Sequence, residues 1–248
     1  KGRRGAGTGN ADDDCEVVAA PVPSKRARTQ QQRPWNSLPS WAGMQGPRRL
    51  AAEFRALMAE IDAGNGGAMC GPARLRCLEY LNDNMRVWRL ALADFDGDTA
   101  EGAQLNADLR AFAQQHPRRA EHGAAVTLEL RFPEDYPNAP FFLRLVRPRM
   151  QMYTGHVTAG GAICIQALTQ GSAPACWKQS FSVSGVLATV ATNMIDPERV
   201  MVRTRTGPGG LSGPARVDVP RAAIDYSDHE AREAFRRMEA HHRENGWG

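Results

Sequence analysis

Val126-Thr127-Leu128-Glu129-Leu130-Arg131-Phe132, followed by Pro133-Glu134-Asp135-Tyr136-Pro137-Asn138-Ala139-Pro140 and then Phe141-Phe142-Leu143-Arg144-Leu145, is the stretch that decides the fold. Its first seven residues alternate apolar and polar side chains. That two-residue period is the pattern of a strand with one buried and one wet face. The proline-rich run 133–140 forces a turn. Phe141, Leu143 and Leu145 alternate again in a second strand, which Pro148 ends. Two strands this close in sequence form an antiparallel pair.

Outward from this pair the periodicity changes. Leu50, Phe54, Leu57, Met58 and Ile61 mark one apolar helix face, with Pro47 at its start and Gly64 at its end. Arg48, Arg49 and Arg55 are expected on the wet side of that helix. Residues 85–92 predict a strand. Leu105, Leu109 and Phe112 predict a helix that stops before Pro117. Residues 150–181 show little periodicity, the mark of a segment that is either functional or disordered. Val183, Val186, Leu187, Val190 and Met194 predict a helix capped by Ser182, and Gly207–Pro214 reads as a flexible break. A capping box, Ser227-x-x-Glu230, opens the last helix, which Gly246 ends. Strands in the middle and helices around them define an α+β domain over residues 47–248. Residues 1–46 are polar, without period, and expected to be a disordered tail.

Composition narrows the function. Of the 248 residues, 42% are hydrophobic, enough for a core. Residues 1–49 hold nine Lys and Arg against four Asp and Glu, while the remainder holds 22 against 23. The domain is therefore electrically balanced and gives no reason to expect nucleic acid as a partner. No apolar run reaches the roughly 18 residues of a membrane helix. Five cysteines, odd in number and without C-x-x-C spacing, predict free thiols in a reducing compartment, cytoplasmic or nuclear. The six residues between Cys70 and Cys77 do not suit a zinc site, so no zinc is expected there. Lys25-Arg26-Ala27-Arg28 has the form of a short import signal, though such clusters are common in solvated tails.

Cys164 is the candidate reactive residue. It follows Gly160-Gly161-Ala162, whose small side chains allow another chain to approach, and it lies in irregular structure where reactive groups concentrate. The combination of Phe132-Pro133-x-x-Tyr136-Pro137-x-x-Pro140, Gly161-Ala162-Ile163-Cys164 and Trp177 resembles the core of the ubiquitin-conjugating enzymes. The Gly-Gly-x-hydrophobic-Cys segment, the inserted helix over 99–116 and the Asn245-Gly246-Trp247 ending resemble the Q-type members.

That resemblance implies the family's α+β fold and a cysteine that carries ubiquitin as a thioester. It implies a ubiquitin-activating enzyme as donor, a lysine amine as acceptor, a ligase as helper, and no metal or bound cofactor. Eight residues before Cys164, where the family usually has the Asn of a His-Pro-Asn triplet, stands His156. The resemblance makes His156 a candidate support for the thiol or for the oxyanion. It also assigns Arg48, Arg49 and Arg55 to the activating enzyme, and the turn at Asn138, with Phe141 or Phe142 as the substitute side chain, to ligase docking. Asn138 stands where the family usually has a Phe, and an amide is poorly suited to an apolar pocket. Cys176 is expected to be structural. A scaffold of the same fold and a carrier of a ubiquitin-like modifier are the competing readings.

Overall fold

The structure, a computed structural model, describes residues 16–17, 45–64, 66–152, 154–198, 200–204 and 207–244. Most of the 1–46 tail, Cys15, the import-like cluster and the Asn-Gly-Trp ending lie outside these residues. The elements are β1 (Glu16–Val17), α1 (Gly46–Ala63), β2 (Ala68–Cys70), β3 (Ala73–Leu81), β4 (Asn84–Ala93), α2 (Ala100–Gln115), β5 (Ala125–Arg131), β6 (Phe142–Arg147), α3 (Val183–Met194), β7 (Val200–Thr204), β8 (Gly207–Ser212) and α4 (Asp228–Glu244). Strands β2 to β6 form one antiparallel meander in sequence order. A second, three-stranded sheet has the order β1-β7-β8.

The class is α+β, as expected, with α2 inserted between the sheet neighbours β4 and β5. Thr99 caps α2 by accepting the Gly102 N–H at 3.1 Å, and Asn106 bridges both backbone groups of Phe95. Ser182 caps α3 through the Gly185 N–H, and Ser227 and Glu230 form the reciprocal capping box of α4. One continuous core joins α1, the inner sheet face and α3. An aromatic chain runs through it: Phe54 contacts Trp88, Trp88 contacts Phe132, and Phe141 packs against Phe132 and Trp177.

The structure differs from the sequence reading in four places along the chain. The polar face of β5 is not wet, since Thr127 and Glu129 are buried. Arg144 donates to Glu129 at 2.9 Å and to the Tyr226 carbonyl at 2.9 Å, so the segment leading into α4 covers this face. Burial alone would raise the Glu129 carboxyl, but the hydrogen bonds and charges of Arg144 and Arg131 outweigh it and hold it below its ordinary value. Strand β3 escaped the sequence reading because a register shift between Leu75 and Cys77 breaks its alternation. The 207–214 break mostly belongs to β8, which pairs with β7. Within the expected disordered tail, Glu16 and Val17 pair with Arg203 and Val202.

Candidate functional site

Cys164 sits on a short hairpin docked to the free edge of β6. Leu145 N–H donates to the Gly161 carbonyl at 2.7 Å, and Ile163 N–H donates to Leu143 at 3.1 Å. Residues 161–163 thus extend the sheet beyond β6. Residues 156–158 extend it once more: Val157 bridges Ile163, Thr158 N–H donates to Ala162 at 2.9 Å, and Cys164 N–H donates to His156 at 2.9 Å. Val157 and Ile163 point into the core. Alternation therefore places Thr158, Ala162 and Cys164 on the opposite face. Cys164 is buried, at 6% exposure.

His156 and Cys164 hold each other twice. Besides the backbone bond, His156 Nδ1 lies 3.2 Å from the Cys164 carbonyl oxygen. A carbonyl only accepts, so Nδ1 carries the proton. His156 adopts a left-handed backbone with φ of 56°, unusual for a residue with a side chain. The preceding Gly155, φ 62°, leaves no room for a side chain, because a Cβ would meet the Ala215 Cβ at 2.6 Å. Burial lowers the imidazole pKa, and the Cys164 carbonyl and the Asp196 charge oppose that only in part. The ring is therefore neutral near neutral pH, and its one N–H is committed to the Cys164 carbonyl. This disfavours an imidazolium beside the thiol and favours a loop-positioning part for His156. Asp196, whose charge reaches the ring, was missed in the sequence, because only tertiary packing brings the end of α3 to this loop.

A base whose folded pKa lies below its ordinary 6.5 contributes stability that is complete above pH 6.5. That contribution is lost as pH falls through the lower folded value. We expect His156→Ala to remove this segment of the stability-against-pH curve between neutrality and the onset of carboxylate titration. Melting of both proteins across pH 5–7.5 checks it. Parallel curves would contradict a neutral buried imidazole.

Gly160 and Gly161 serve a different neighbour from the one expected. A Cβ on Gly160 would lie 2.3 Å from the Glu230 carbonyl oxygen, and one on Gly161 would lie 2.5 Å from the Tyr226 ring. The chain that approaches these glycines is the molecule's own C-terminal segment. Tyr226 is fixed there by its N–H to Val146 at 3.0 Å and by the Arg149 guanidinium 4.4 Å over its ring.

The other candidate residues separate into exposed and buried sets. Arg48 and Arg55 are exposed on α1. Arg49 is fully buried, contrary to expectation. Its guanidinium pairs with Glu53 at 2.7 Å and donates to the carbonyls of Phe181, at 2.6 Å, and Gln179, so it ties α1 to the segment behind Trp177. Phe141 is also buried, at 1%, within the aromatic chain, and cannot serve as a docking side chain. Asn138 is exposed and accepts a hydrogen bond from Gln179 at 2.9 Å. Trp177 is buried and donates to the Pro137 carbonyl at 2.8 Å, which joins the two motifs of the sequence reading. Cys176 is fully buried against Thr169, in keeping with a structural part. Burial raises the Cys70 thiol to about 12. Among the described residues no cluster of three His, Cys, Asp or Glu could hold a metal ion.

With this geometry in place, comparisons show what the chain is similar to. The model of the prokaryotic E2 family B matches residues 90–196, a span that contains the whole hairpin with His156 and Cys164. A Q-like ubiquitin-conjugating enzyme protein of Drosophila melanogaster is 27% identical over 201 residues, 81% of this chain and 52% of its own. Ubiquitin-conjugating enzyme E2 Q1 of Homo sapiens is 25% identical over 170 residues, 68% of this chain and 33% of its own. The chain thus spans about half of the first relative and a third of the second. A shorter Q-like ubiquitin-conjugating enzyme protein of Mus musculus is 25% identical over 174 residues, 70% of this chain and 88% of its own. A solved ubiquitin-conjugating enzyme from Plasmodium falciparum superposes with a TM-score of 0.39 at 15% identity, over 60% of this chain and 83% of its own, too loosely to bear on the argument. The chain is similar in sequence to ubiquitin-conjugating enzymes, Q-type members among them.

Proposed function

We propose that the protein is a ubiquitin-conjugating enzyme in which Cys164 carries the ubiquitin C-terminus as a thioester. The observation that carries this reading is Cys164 on the docked hairpin, held through its backbone by His156, inside the span that matches the E2 family. The Cys164 thiolate attacks the thioester carbonyl on the activating enzyme, and the activating enzyme's thiolate leaves. A lysine amine then attacks the new thioester, and Cys164 leaves as thiolate. Sulfur suits both steps, being a strong nucleophile and a good leaving group. His156 fixes the carbonyl and amide that flank the thiol, which limits drift of Sγ. Arg48 and Arg55, exposed on α1, are the residues we assign to the activating enzyme. The surface at Asn138 and Gln179 is polar and suits a ligase that docks by hydrogen bonds.

Incubation with activating enzyme, ATP and ubiquitin, followed by a non-reducing gel, tests the reading. We expect an adduct that thiol reductant removes, absent in Cys164→Ala. Cys164→Ser should give an oxyester that resists reductant and yields to hydroxide. No adduct with ubiquitin or a ubiquitin-like modifier, while a control enzyme charges, would favour a scaffold instead.

A further inference from the structure

Among the described residues, four side chains have a buried polar atom without a hydrogen-bond partner: Arg89 Nε, His122 Nε2, Thr158 Oγ1 and Asp228 Oδ1. Three of them belong to ion pairs. Arg89 reaches Glu129 at 3.5 Å, His122 lies 3.8 Å from Glu121, and Asp228 lies 3.1 Å from Arg131. Thr158 has no such compensation. It is 8% exposed, so its hydroxyl is withdrawn from water as well. An unpaired buried hydroxyl is unfavourable and calls for a reason.

Its position supplies one. Thr158 and Cys164 lie on the same face of the hairpin, opposite the core-facing Val157 and Ile163. His156 stands directly across from Cys164, and Ala162 directly across from Thr158. Thr158 and Cys164 are thus diagonal neighbours, with Cα atoms about 7–8 Å apart in such a ladder. Ala162, fully buried, contributes only a methyl to this face. A thioester on Sγ carries its carbonyl oxygen two bonds beyond the sulfur, and the Thr158 side chain is the diagonal neighbour on that face. The His156 N–H is already committed to the Cys164 carbonyl. The Thr158 hydroxyl is the uncommitted side-chain donor on the hairpin face.

We infer that Thr158 donates its hydroxyl hydrogen bond to the oxyanion formed at the thioester carbonyl, and is a catalytic residue of acyl transfer. The inference rests on the thioester reading of Cys164. In the transfer step the amine lone pair forms a C–N bond to the carbonyl carbon, and the C=O pair moves onto oxygen. Thr158 stabilises that negative oxygen and keeps its own proton. Collapse re-forms the C=O bond and breaks the C–S bond. Cys164 leaves as thiolate, and the ammonium nitrogen gives its proton to water. A donor fixed by the hairpin and buried beside the thiol is screened little and needs no reorganisation.

Thr158→Val removes the hydroxyl at nearly constant shape, and Thr158→Ser retains it. Each protein is charged with ubiquitin, isolated, and its discharge to free lysine followed in single turnover. Thr158→Val should melt at the same or a higher temperature than the parent and still form the Cys164 adduct. Its discharge should fall about 10²-fold, the loss typical of one oxyanion donor. Thr158→Ser should discharge within a few-fold of the parent. A parental discharge rate in a charged Thr158→Val protein would overturn this inference and leave the thioester reading intact. Slow discharge with a lowered melting point and no rescue by Ser would make Thr158 structural and overturn it too. If the parent itself never charges, both readings fall together.

Discussion

Glu53→Gln is expected to destabilise the fold by about 3–5 kcal/mol, the range for a buried ion pair that loses one partner. Glu53 is 3% exposed and receives three hydrogen bonds. Arg49 Nε donates to Oε1 at 2.7 Å, the Tyr136 hydroxyl donates to Oε1 at 2.7 Å, and the Val183 N–H donates to Oε2 at 2.6 Å. All three neighbours are donors. A glutamine offers one oxygen and one NH2, so one side must face donor to donor. The Arg49 guanidinium, which also lies 5.3 Å over the Tyr136 ring, would stay buried with its charge uncompensated. At this chain length the loss corresponds to a melting shift on the order of 10 °C.

Two comparisons make that result diagnostic. Glu233→Gln breaks the surface pair with Arg236, whose side chain is 66% exposed, and should change stability by less than about 0.5 kcal/mol. Replacing Arg49 by Met and Glu53 by Leu together should cost less than Glu53→Gln alone, because no orphaned charge remains. Urea melts of the four proteins measure this. If Glu53→Gln unfolds within about 1 kcal/mol of the parent, the pair is not the clasp described here. The clasp matters to the site because it joins α1, the Tyr136-Pro137 turn and the backbone at Gln179, Phe181 and Val183. The helix assigned to the activating enzyme and the segment beyond the cysteine are therefore one mechanical unit.

What could be read from the sequence follows from which signals are local. The strands around Tyr136, the caps at Ser182 and Ser227 and the helix faces are local patterns, and each forms where its residues predict. Arg49 and Glu53 sit four apart on a helix that is otherwise apolar or exposed. Their burial depends on the backbone carbonyls at 179 and 181, about 130 positions away, and no periodicity reports that. The same holds for β5. Its Thr and Glu alternate with leucines as on a wet face, and only the return of the chain at Tyr226 covers them. Cys164 was legible through its motif. Its setting was not, because the hairpin pairing of 156–158 with 162–164 is set by two backbone hydrogen bonds around a glycine turn, in a stretch with no alternation to follow.

The second large effect is expected at Gly160. Its φ is not in the left-handed region, so alanine is conformationally tolerated there and any cost is steric. An added Cβ would meet the Glu230 carbonyl oxygen at 2.3 Å, the Glu230 carbonyl carbon at 2.7 Å and the Ala234 Cβ at 2.9 Å. None of these atoms can leave by a side-chain rotation, so a backbone must move. α4 resists, because Ser227 and Glu230 cap it, Arg149 holds Glu230 at 2.9 Å and Arg131 holds Asp228 at 3.1 Å. Gly160→Ala should therefore cost about 1–3 kcal/mol, as overpacked contacts do, and Gly160→Val more. Gly97→Ala and Gly213→Ala, where a Cβ meets nothing within 4 Å, should leave the melting temperature close to the parent's. The hairpin that yields to α4 is the one that carries Cys164. A displacement near 1 Å at a reacting sulfur lowers rates by up to about 10²-fold. Gly160→Ala should thus slow discharge of the ubiquitin thioester more than its stability loss explains, at a temperature where the protein remains folded. A Gly160→Ala protein with the parent's melting temperature and discharge rate would show that α4 does not set the position of the cysteine hairpin.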